Sequence, residues 1–477
     1  MDRSRSRSHR RRALVPGASV TVGVLAVFVL TVTVLLATAA TATAAPGDRT
    51  WVRGFSSSTR VEDFLAVANG QQRTVYAVGI ASATEESGKM LVARYSADGK
   101  RLWAHTYSAG GDSAYGRCLL VVPGGVIVAG TAGNVAAPNR LDIVVVKYAG
   151  DGRRLWTRRY DGPGHRNDDP SDLELGPGGT VYVGGTSVGE GTGKDYVLMQ
   201  VAQSYGSVLW TRRYDGAGKF DDLRAVHADL ENGAVYVTGR SAGDAAGVAA
   251  ATIKYSASGR RLWARRLHEG AGPTYGAGVA LNLEDKVVYV AGATYGGVAA
   301  GWDAMLVQLS MATGAKKWVR TAAVPHTNER VVAFADYVRF VPGGYGFALA
   351  GSSSDPDTLD ETAFVTTWAL DGTPLWQDAD FKVGLPGDDA GYFSVTDDSE
   401  GSLYCGGFTS GSGGLEDFTV VKYSPAGAFV WDNVYDSPAH KTDICRVLTM
   451  GYGGLYAAGF RSKTTLDTNA LLVKYER

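Results

Sequence analysis

Four histidines occupy one recurring place in the chain and are the first candidates for metal chemistry. Each lies between a tryptophan-containing strand and the apolar run that opens the next repeat: His165, His268, His326 and His440. A zinc site needs three or four convergent ligands. Histidines distributed over separate repeats rarely converge, so we expect side chains in solvated loops rather than a zinc centre.

Carboxylates raise the question of calcium. Two loops are rich in acids, 167–172 and 355–361, but neither has the Asp-x-Asp-x-Asp-Gly spacing of an EF-hand. Other acids stand just before an apolar run, where we expect them to accept hydrogen bonds from turn amides: Asp112, Asp169, Asp222 and Asp443. We predict no cofactor, and calcium is the one ion that the pattern leaves open.

Sequence signatures of catalysis are weak. The chain has no His-Glu-x-x-His motif, and we expect no nucleophile elbow of the Gly-x-Ser-x-Gly type. Cys118, Cys405 and Cys445 lie in apolar runs, where a free thiol behaves as a small hydrophobic side chain. A disulfide between Cys405 and Cys445 stays open, because spacing does not fix geometry. We therefore assign no catalytic, cofactor-binding or metal-binding residue.

Eight tryptophans recur with a period of about 50 residues, the scale of a β-propeller repeat. They are Trp51, Trp103, Trp156, Trp210, Trp263, Trp318, Trp376 and Trp431. Only Trp302 and Trp368 fall outside the series. Aromatic residues at equivalent positions supply large buried areas, so we expect packing between repeats rather than a carbohydrate-binding surface.

Apart from Trp51, each tryptophan of the series follows a Gly turn and a strand that ends in Lys-Tyr or a looser copy of it, as in 145–148. A strand of the type Val-Tyr-Val-x-Gly, as in 235–239, and an earlier apolar run complete each repeat. No stretch beyond the N-terminus keeps helical spacing. Four strands per repeat predict an all-β propeller of four-stranded antiparallel blades. We expect the recurring lysines to snorkel or to pair with an acid of the neighbouring blade: Lys147, Lys254, Lys422 and Lys474.

The two ends of the repeat array are complementary. The last repeat ends at Tyr475 without a tryptophan strand, and Trp51 stands without a strand before it. Pairing of 50–55 with 471–475 closes a ring and hides the exposed sheet edges. We therefore predict a single eight-bladed propeller, closed by an N-terminal strand that joins the C-terminal blade.

One full repeat runs from Asp142 through Leu155-Trp156 and Tyr160-Asp161-Gly162-Pro163-Gly164 to 181–184. This pattern resembles the bacterial β-propeller repeat known as SBBP, and the resemblance covers 50–477. It implies the order of strands within a blade, with the apolar run innermost and the tryptophan strand outermost. It implies a fold and says almost nothing about activity. A fainter likeness to quinoprotein propellers, which as a class pair calcium with a quinone, reflects shared blade geometry.

The N-terminus is typical of an export signal. Six arginines lie in the first twelve residues, no charged residue occurs in 13–47, and the apolar stretch 20–37 ends in Ala42-Thr43-Ala44. We predict a secretory segment over 1–44 and the propeller over 45–477. The apolar stretch is also long enough for an uncleaved membrane anchor, which needs about 20 residues. The protein is therefore expected to be secreted, or anchored on the outer face of the cytoplasmic membrane.

Loop length indicates which face of the propeller carries the functional site. Turns after the innermost strand and before the tryptophan strand are tight, whereas the other loops vary, as in 82–89 and 352–361. Because function is concentrated on variable loops held by a rigid scaffold, we predict a non-catalytic site there that binds or adheres to protein or glycan. The alternative is an extracellular enzyme (a hydrolase, a lyase or a quinoprotein-like oxidoreductase) acting at the mouth of the central channel. Two carboxylates with His or Arg at that mouth favour the enzyme, and a flat apolar patch favours binding. We expect a monomer that does not bind nucleic acid, because the exported part is acidic.

Overall fold

The computed structural model describes residues 45–477 apart from 57–59, 84–87, 110–112, 135–139, 217, 245–246, 298–300, 324–327, 341–343, 355–360, 382–388, 411–414 and 465–466. The side chains of 244, 328–340, 344, 353–354 and 379–381 also lie outside the description. The chain divides into Met1–Thr43 and Ala44–Arg477, and all described residues belong to the second part. The predicted secretory segment 1–44 therefore lies outside the described residues. Within the part described, no helix has the length and apolarity needed to cross a membrane.

The described residues form 32 β-strands and no α-helix. In chain order the strands are β1 (Arg49–Phe55), β2 (Val61–Gly70), β3 (Thr74–Ser82), β4 (Gly88–Ser96), β5 (Arg101–Tyr107), β6 (Ser113–Val122), β7 (Gly125–Gly133), β8 (Leu141–Ala149), β9 (Arg154–Tyr160), β10 (Asp168–Gly176), β11 (Thr180–Gly189), β12 (Gly193–Ala202), β13 (Val208–Tyr214), β14 (Asp221–Ala228), β15 (Val235–Asp244), β16 (Gly247–Tyr255), β17 (Arg261–Leu267), β18 (Thr274–Asn282), β19 (Val287–Gly297), β20 (Gly301–Ser310), β21 (Lys316–Ala322), β22 (Asn328–Phe340), β23 (Gly344–Ser354), β24 (Glu361–Ala369), β25 (Pro374–Phe381), β26 (Ala390–Asp397), β27 (Leu403–Ser410), β28 (Glu416–Tyr423), β29 (Phe429–Tyr435), β30 (Asp443–Gly451), β31 (Gly454–Ser462) and β32 (Thr468–Tyr475).

These strands pair in groups of four, which we call quartets. Six quartets are separate antiparallel sheets in which consecutive strands pair, from β6–β9 to β26–β29. One further sheet contains two quartets, β2–β5 and β30–β32 with β1, joined by a single parallel pair between Val61 and Thr468. We number the quartets in chain order, so that β2–β5 is quartet 1 and β30–β32 with β1 is quartet 8.

The N-terminal strand pairs with the C-terminal one. β1 runs antiparallel to β32, with Trp51 opposite Lys474 and Val52 opposite Val473. Backbone hydrogen bonds from Gly47 N to Glu476 O (3.2 Å) and from Glu476 N to Asp48 O (2.9 Å) extend the pairing beyond the strands. The pairing that the complementary ends predict is therefore present.

Neighbouring quartets meet through their first strands and bury a core between them. The first strands contact one another in succession from β2 to β30, and β30 contacts β2. Each contact between neighbouring quartets contains one hydrophobic cluster, including the contact between quartets 8 and 1. Because middle strands have neighbours on both faces, they are largely apolar, and β7 is buried at every residue. This arrangement of four-stranded antiparallel sheets is a β-propeller.

All three cysteines are free. Cys405 packs in the cluster between quartets 6 and 7, whereas Cys445 packs in the cluster between quartets 7 and 8. The two thiols therefore lie on opposite faces of quartet 7, and the disulfide that the sequence left open does not form. Burial raises the pKa of each thiol, which makes both of them unreactive.

Candidate functional site

The outer edge of the molecule repeats one contact, which we call the rim. The indole Nε1 of Trp156 donates to the carbonyl of Gln203 in the turn of the next quartet (2.9 Å), and Lys147 Nζ donates to the same oxygen (3.0 Å). Other rim tryptophans donate in the same way: Trp51 to Ala97, Trp103 to Gly150, Trp210 to Ala257, Trp263 to Met311 and Trp376 to Pro425. The predicted role of the tryptophans in packing between repeats is confirmed.

A glycine in each turn makes the rim contact close. Gly259 has a φ of +76°, and a Cβ atom there would lie 2.8 Å from Cδ2 of Trp210. The same pairing occurs at all eight tryptophans: Gly47 on Trp431, Gly99 on Trp51, Gly152 on Trp103, Gly206 on Trp156, Gly259 on Trp210, Gly314 on Trp263, Gly372 on Trp318 and Gly427 on Trp376. Glycine is therefore needed for space as well as for backbone conformation.

The predicted pairing of the recurring lysines with an acid of the neighbouring blade is wrong. Lys147, Lys254 and Lys474 donate to turn carbonyls of the next quartet, not to its acids. Lys422 lies 3.9 Å from Asp398 of its own quartet. A carbonyl in the packed turn is already fixed beside the indole, so it is the nearer acceptor.

The recurrent acids divide into two roles. Asp443 Oδ2 accepts a hydrogen bond from Ser437 N (2.6 Å), as predicted for a turn acid, and Asp168 and Asp221 do the same in their quartets. Asp169 and Asp222 instead face arginines in the first strands, so the prediction is wrong for them. Asp112 lies outside the described residues.

Three groups of aspartates could hold a metal ion, each with carboxylate oxygens within 4.8 Å of one another. They are Asp142, Asp161 and Asp168; Asp195, Asp215 and Asp221; and Asp417, Asp436 and Asp443. Arginine already compensates the first two groups, through Arg159 Nε to Asp142 (2.5 Å) and Arg213 Nη2 to Asp195 (2.6 Å).

The third aspartate group differs. Val434 occupies the register position of Arg159, so this group has no equivalent arginine. Burial, together with the nearby carboxylates Asp436 and Asp443, raises the pKa of Asp417 to about 6, and His440 opposes this shift. Among the described residues this is therefore the group with the least compensated negative charge.

The predicted acidic loop 167–172 is strand β10 from Asp168 onward, and its Asp168 and Asp172 accept hydrogen bonds from backbone amides, whereas Asp169 faces Arg117. Asp172 Oδ2 accepts from Val226 N of the next quartet and its Oδ1 accepts from Leu173 N, both at 2.8 Å. Burial raises the pKa of Asp172 to about 6. In the second acidic loop, 355–360 lies outside the described residues.

The histidines are scattered, as expected. His165 and His440 are largely exposed, and the Nδ1 of each contacts an aspartate four residues earlier, at 2.8 Å and 2.5 Å. His268 is half-buried, and His326 lies outside the description. Within the described chain no histidine belongs to a candidate metal group.

Two stretches match the pattern Gly-x-Ser-x-Gly, around Ser187 and Ser241. Both lie inside strands, β11 and β15, and not at the strand-to-helix turn that exposes a nucleophile. The Ser187 hydroxyl accepts a hydrogen bond from Arg213. The prediction that no Gly-x-Ser-x-Gly element appears is therefore wrong for the sequence motif, although neither of these two copies lies at a strand-to-helix turn.

The first strand of every quartet contains a β-bulge at its fourth or fifth residue. The extra residues are Leu65, Arg117, Ser171, Arg224, Ala277, Val332, Phe393 and Arg446. Bulges interrupt pairing and redirect side chains, and they are frequent beside functional sites. We define the mouth by three sets of residues. They are these bulge residues, the residues two positions before them, and the residues on the second strands that pair with the latter. It lies towards the variable loops, where the first strands meet.

Arginines occupy three of the bulges, and each faces a carboxylate. Arg224 Nη2 lies 2.6 Å from Asp222, and Arg117 Nη2 lies 4.0 Å from Asp169 of the next quartet. Asp222 also receives Arg240 Nε at 3.1 Å and a hydrogen bond from Thr186 of quartet 3 (2.9 Å). Charged side chains therefore form one array across quartets 2, 3 and 4.

Arg446 connects this charged array to an aromatic region. Its Nε lies 3.3 Å from Asp63 of quartet 1, and its guanidinium lies 5.7 Å and 5.2 Å from the ring centroids of Phe393 and Phe460. Burial raises the pKa of Asp63 to about 6, although Arg446 opposes this shift. Arg446 thereby links quartets 7, 8 and 1 at the mouth.

An aromatic group in quartet 5 continues this region. Trp302, one of the two tryptophans outside the repeat series, has ring centroids 5.4 Å from Tyr275 and 5.5 Å from Tyr295. Tyr275 stands in the same register position as Asp169 and Asp222. The mouth therefore has a charged side in quartets 2–4 and an aromatic side in quartets 5, 7 and 8.

The opposite end of the molecule carries most of the exposed apolar side chains. Its tight turns expose Tyr205 (76%), Tyr452 (54%) and Leu230 (52%), among others. A cavity of about 340 Å³ between quartets 1 and 2 also opens at these turns, beside Tyr76 and Arg94. At the variable loops the described residues include only Leu415 as an exposed large apolar side chain.

Comparison with known proteins leaves function open. No protein-family model and no curated protein matches the chain. Similar solved structures include the quinohemoprotein alcohol dehydrogenase from Comamonas testosteroni, at 10% identity and a TM-score of 0.49 over 89% of this chain and 76% of that one. Chaetomium thermophilum Sqt1 bound to the N-terminus of ribosomal protein L10 has 11% identity and a TM-score of 0.49 over 87% and 97% of the two chains. The WD40 domain of SCAP from fission yeast has 9% identity and a TM-score of 0.45 over 89% of this chain and 98% of that one. Similarity at this level carries no information about activity or partners.

Proposed function

We propose that this chain is an eight-bladed β-propeller closed by β1 and that it acts outside the cytoplasm as a non-catalytic binding module. Each quartet is then one blade, and the ligand binds at the mouth and the variable loops around it. The succession of contacts from β2 to β30 and back to β2 supports the ring. The hydrophobic cluster between quartets 8 and 1 supports it as well.

One observation supports the mouth as the binding site. At the rim the same residue types recur in every blade, because each contact needs them. At the mouth the backbone recurs, with a bulge in every first strand, but the side chains differ: Leu65, Arg117, Ser171 and Phe393 share one register position. Side chains that the ring does not require are free to serve a ligand.

A second candidate, an extracellular hydrolase or lyase, rests on the mouth carboxylates. The mouth does contain two carboxylates with arginines, the constellation that the sequence analysis associates with an enzyme. Asp63 has a pKa of about 6, suitable for proton transfer near neutral pH. Asp63, Asp169 and Asp222 each face a guanidinium, however, which suits fixed positioning of a ligand better than the gain and loss of a proton. We therefore favour binding.

Closure of the ring is tested by a disulfide. Cysteines replacing Val52 and Val473, which lie opposite each other in an antiparallel pair, should form a cross-link that shifts mobility on a non-reducing gel. Cysteines replacing Val52 and Leu472, one residue out of register, point to opposite faces and should remain free. A cross-link in both variants or in neither contradicts closure by β1.

The site is tested by a glycan and protein binding screen on the secreted form, followed by paired variants. Tyr275→Ala and Arg224→Gln alter the aromatic and the charged side of the mouth, whereas Tyr205→Ser and Tyr452→Ser remove exposed rings from the tight turns. We expect the mouth variants to lose binding and the turn variants to keep it. The reverse result moves the site to the apolar tight-turn end. Hydrolysis or elimination of a bound glycan identifies the enzyme instead.

The extracellular location is tested by N-terminal sequencing and cell fractionation. We expect released protein that begins at Ala45. Full-length protein retained in the membrane fraction shows that 20–37 stays as an anchor. Protein of full length in the cytosol contradicts export altogether.

A further inference from the structure

The charged side of the mouth has more guanidinium groups than carboxylates. Among the described residues of quartets 2–4, Asp169 and Asp222 are the two carboxylates that face Arg117, Arg224 and Arg240. Asp222 serves two of the three arginines, so one positive charge remains without its own counter-ion. A surplus cation in a mildly acidic protein is a feature that the fold itself does not explain.

These arginines also keep free hydrogen-bonding capacity. The Arg117 guanidinium lies 4.0 Å from its carboxylate, which is beyond hydrogen-bonding distance, and it makes no hydrogen bond with any described residue. Arg224 contacts Asp222 alone among the described side chains. Both side chains are about half exposed, at 51% and 50%. Each guanidinium has five N–H donors, so most of them face solvent.

Arginines with a structural role are used differently in this protein. At the rim, Arg212 donates to the carbonyls of Gly259 (2.6 Å), Thr211 (2.7 Å) and Ser258 (3.3 Å). Arg158 makes three equivalent bonds to carbonyls. Rim arginines thus use their N–H groups in hydrogen bonds to the neighbouring turn, and the mouth arginines do not.

We propose that Arg117, Arg224 and Arg240 bind the carboxylate or sulfate groups of an acidic polysaccharide. The planar guanidinium fork matches an oxyanion in a bidentate manner, and Asp169 and Asp222 hold the forks in place while accepting ligand hydroxyls. Thr186 adds a further hydroxyl to the array. This inference rests on the proposed function, since it places the ligand at the same mouth.

The observations favour a saccharide over a protein partner. The centre of a protein interface is built from large apolar and aromatic side chains. In this protein the fully exposed ones lie at the tight-turn end, apart from Leu415 among the described residues of the variable loops. The aromatic rings of the mouth are only partly exposed and lie in quartets 5, 7 and 8, away from Arg117, Arg224 and Arg240. A ligand rich in hydroxyls and carboxylates needs charge and hydrogen bonds, which are what quartets 2–4 offer.

The test uses ligands that differ only in charge. Binding of the secreted protein to polygalacturonate, and to the same polymer with its carboxylates methyl-esterified, is measured by calorimetry in EDTA at two salt concentrations. Alginate and chondroitin sulfate extend the panel to other acidic polymers. We expect binding to at least one acidic polymer, a loss of affinity in higher salt, and no binding to the esterified form.

Variants locate the interaction. Arg117→Gln, Arg224→Gln and Arg240→Gln should each lower the affinity about tenfold, the usual effect of one charge-assisted contact. Arg260→Gln, at an exposed turn of the opposite end, is the matched control and should change nothing. Thermal unfolding of every variant shows that a loss of binding is not a loss of fold.

The outcomes separate this inference from the proposed function. If no acidic polymer binds, or if the arginine variants bind as well as the wild type, the acidic saccharide is wrong. If a neutral glycan or a protein binds and Tyr275→Ala abolishes that binding, the mouth remains the site and only its ligand class changes. If no mouth variant affects any ligand found, both proposals are wrong.

Discussion

The rim and the mouth are built from the same repeated backbone but use it in opposite ways. At the rim, a tryptophan, a turn glycine and a turn carbonyl recur from quartet to quartet. At the mouth, a bulge recurs in every first strand, but its residue is Leu65 in one quartet, Arg117 in the next and Ala277 in another. In a repeat protein, positions that hold neighbouring repeats together must satisfy one geometry everywhere. Positions that need not do so can diverge.

This difference separates stability from recognition within one fold. Substitutions at the rim should change the free energy of unfolding and leave binding by the folded protein intact. Substitutions at the mouth should do the reverse. The predictions below test this separation, beginning with the largest effect.

Trp156→Ala should cost the most. Trp156 is 8% exposed, belongs to the cluster between quartets 2 and 3, and donates to Gln203 O. Truncating a buried tryptophan usually lowers stability by about 3–5 kcal/mol, through lost burial and the cavity left behind. Chemical denaturation measures this loss. Leu155→Ala, at the exposed neighbouring position, is the control and should cost less than about 1 kcal/mol. Equal effects at the two positions contradict the rim contact.

Gly259→Ala tests the close approach on which the rim depends. The residue has a positive φ, and its new Cβ would meet Trp210 at 2.8 Å. Gly178→Ala is the matched control, since Gly178 has a φ of +65° and nothing within 4 Å of a Cβ. Both variants should pay about 1 kcal/mol of backbone strain, and Gly259→Ala about 1–2 kcal/mol more for the contact. Identical unfolding midpoints for Gly259→Ala and Gly178→Ala would show that the Trp210 indole can move aside without loss of stability.

The rim could be predicted from the sequence because repetition reveals it. Trp156 and its seven counterparts recur together with a turn, and a period of about 50 residues leads directly to four-stranded blades. The pairing of Trp51 with the strand at Val473 followed from the complementary ends. Periodicity does not reveal the hydrogen-bond acceptor of a side chain. The sequence therefore predicts that Lys147 snorkels or pairs with an acid of the neighbouring blade, and not that it donates to the Gln203 carbonyl.

The mouth could not be predicted in this way, because divergent positions have no period. Periodicity does not single out Arg117, Arg224 or Arg446, which are isolated charges inside apolar runs. A charge that interrupts an otherwise apolar strand was the available signal, but only the bulge shows that all three occupy one register position. Trp302 was noted as lying outside the series, and its contact with Tyr275 could not be inferred without the register of quartet 5.

Asp417→Asn tests the aspartate group that has lost its arginine. Because the pKa of Asp417 is raised from 3.8 to about 6, the folded protein favours the protonated carboxyl. The wild type should therefore lose stability as pH rises through the window between these values, and the loss persists above it. Asn at this position should remove that dependence and stabilise the protein at pH 7 by about 1 kcal/mol, after allowance for solvent screening of a partly exposed group.

The measurement is thermal unfolding of both proteins across pH 4–7 in EDTA. Asp432→Asn, an exposed acid on β29, is the control and should leave the pH profile unchanged. A second series with calcium addresses the ion that the sequence left open. If calcium stabilises the wild type and not Asp417→Asn, the aspartate group binds the ion. A loss of stability in Asp417→Asn in EDTA contradicts the charge argument.

The smallest expected effect on stability is at the mouth. The same substitution, arginine to glutamine, can be compared there and at the rim. Arg158→Gln removes three hydrogen bonds from the rim to Gly206, Thr157 and Tyr205, and should cost about 1–2 kcal/mol. Arg117→Gln removes a half-exposed ion pair with Asp169 at 4.0 Å, and should change stability by less than about 0.5 kcal/mol. Binding should show the opposite order, because Arg158 has its donors occupied and Arg117 does not. Parallel denaturation and calorimetry on the two variants measure both quantities. If Arg117→Gln costs as much stability as Arg158→Gln, the mouth arginines are structural and the separation between rim and mouth fails.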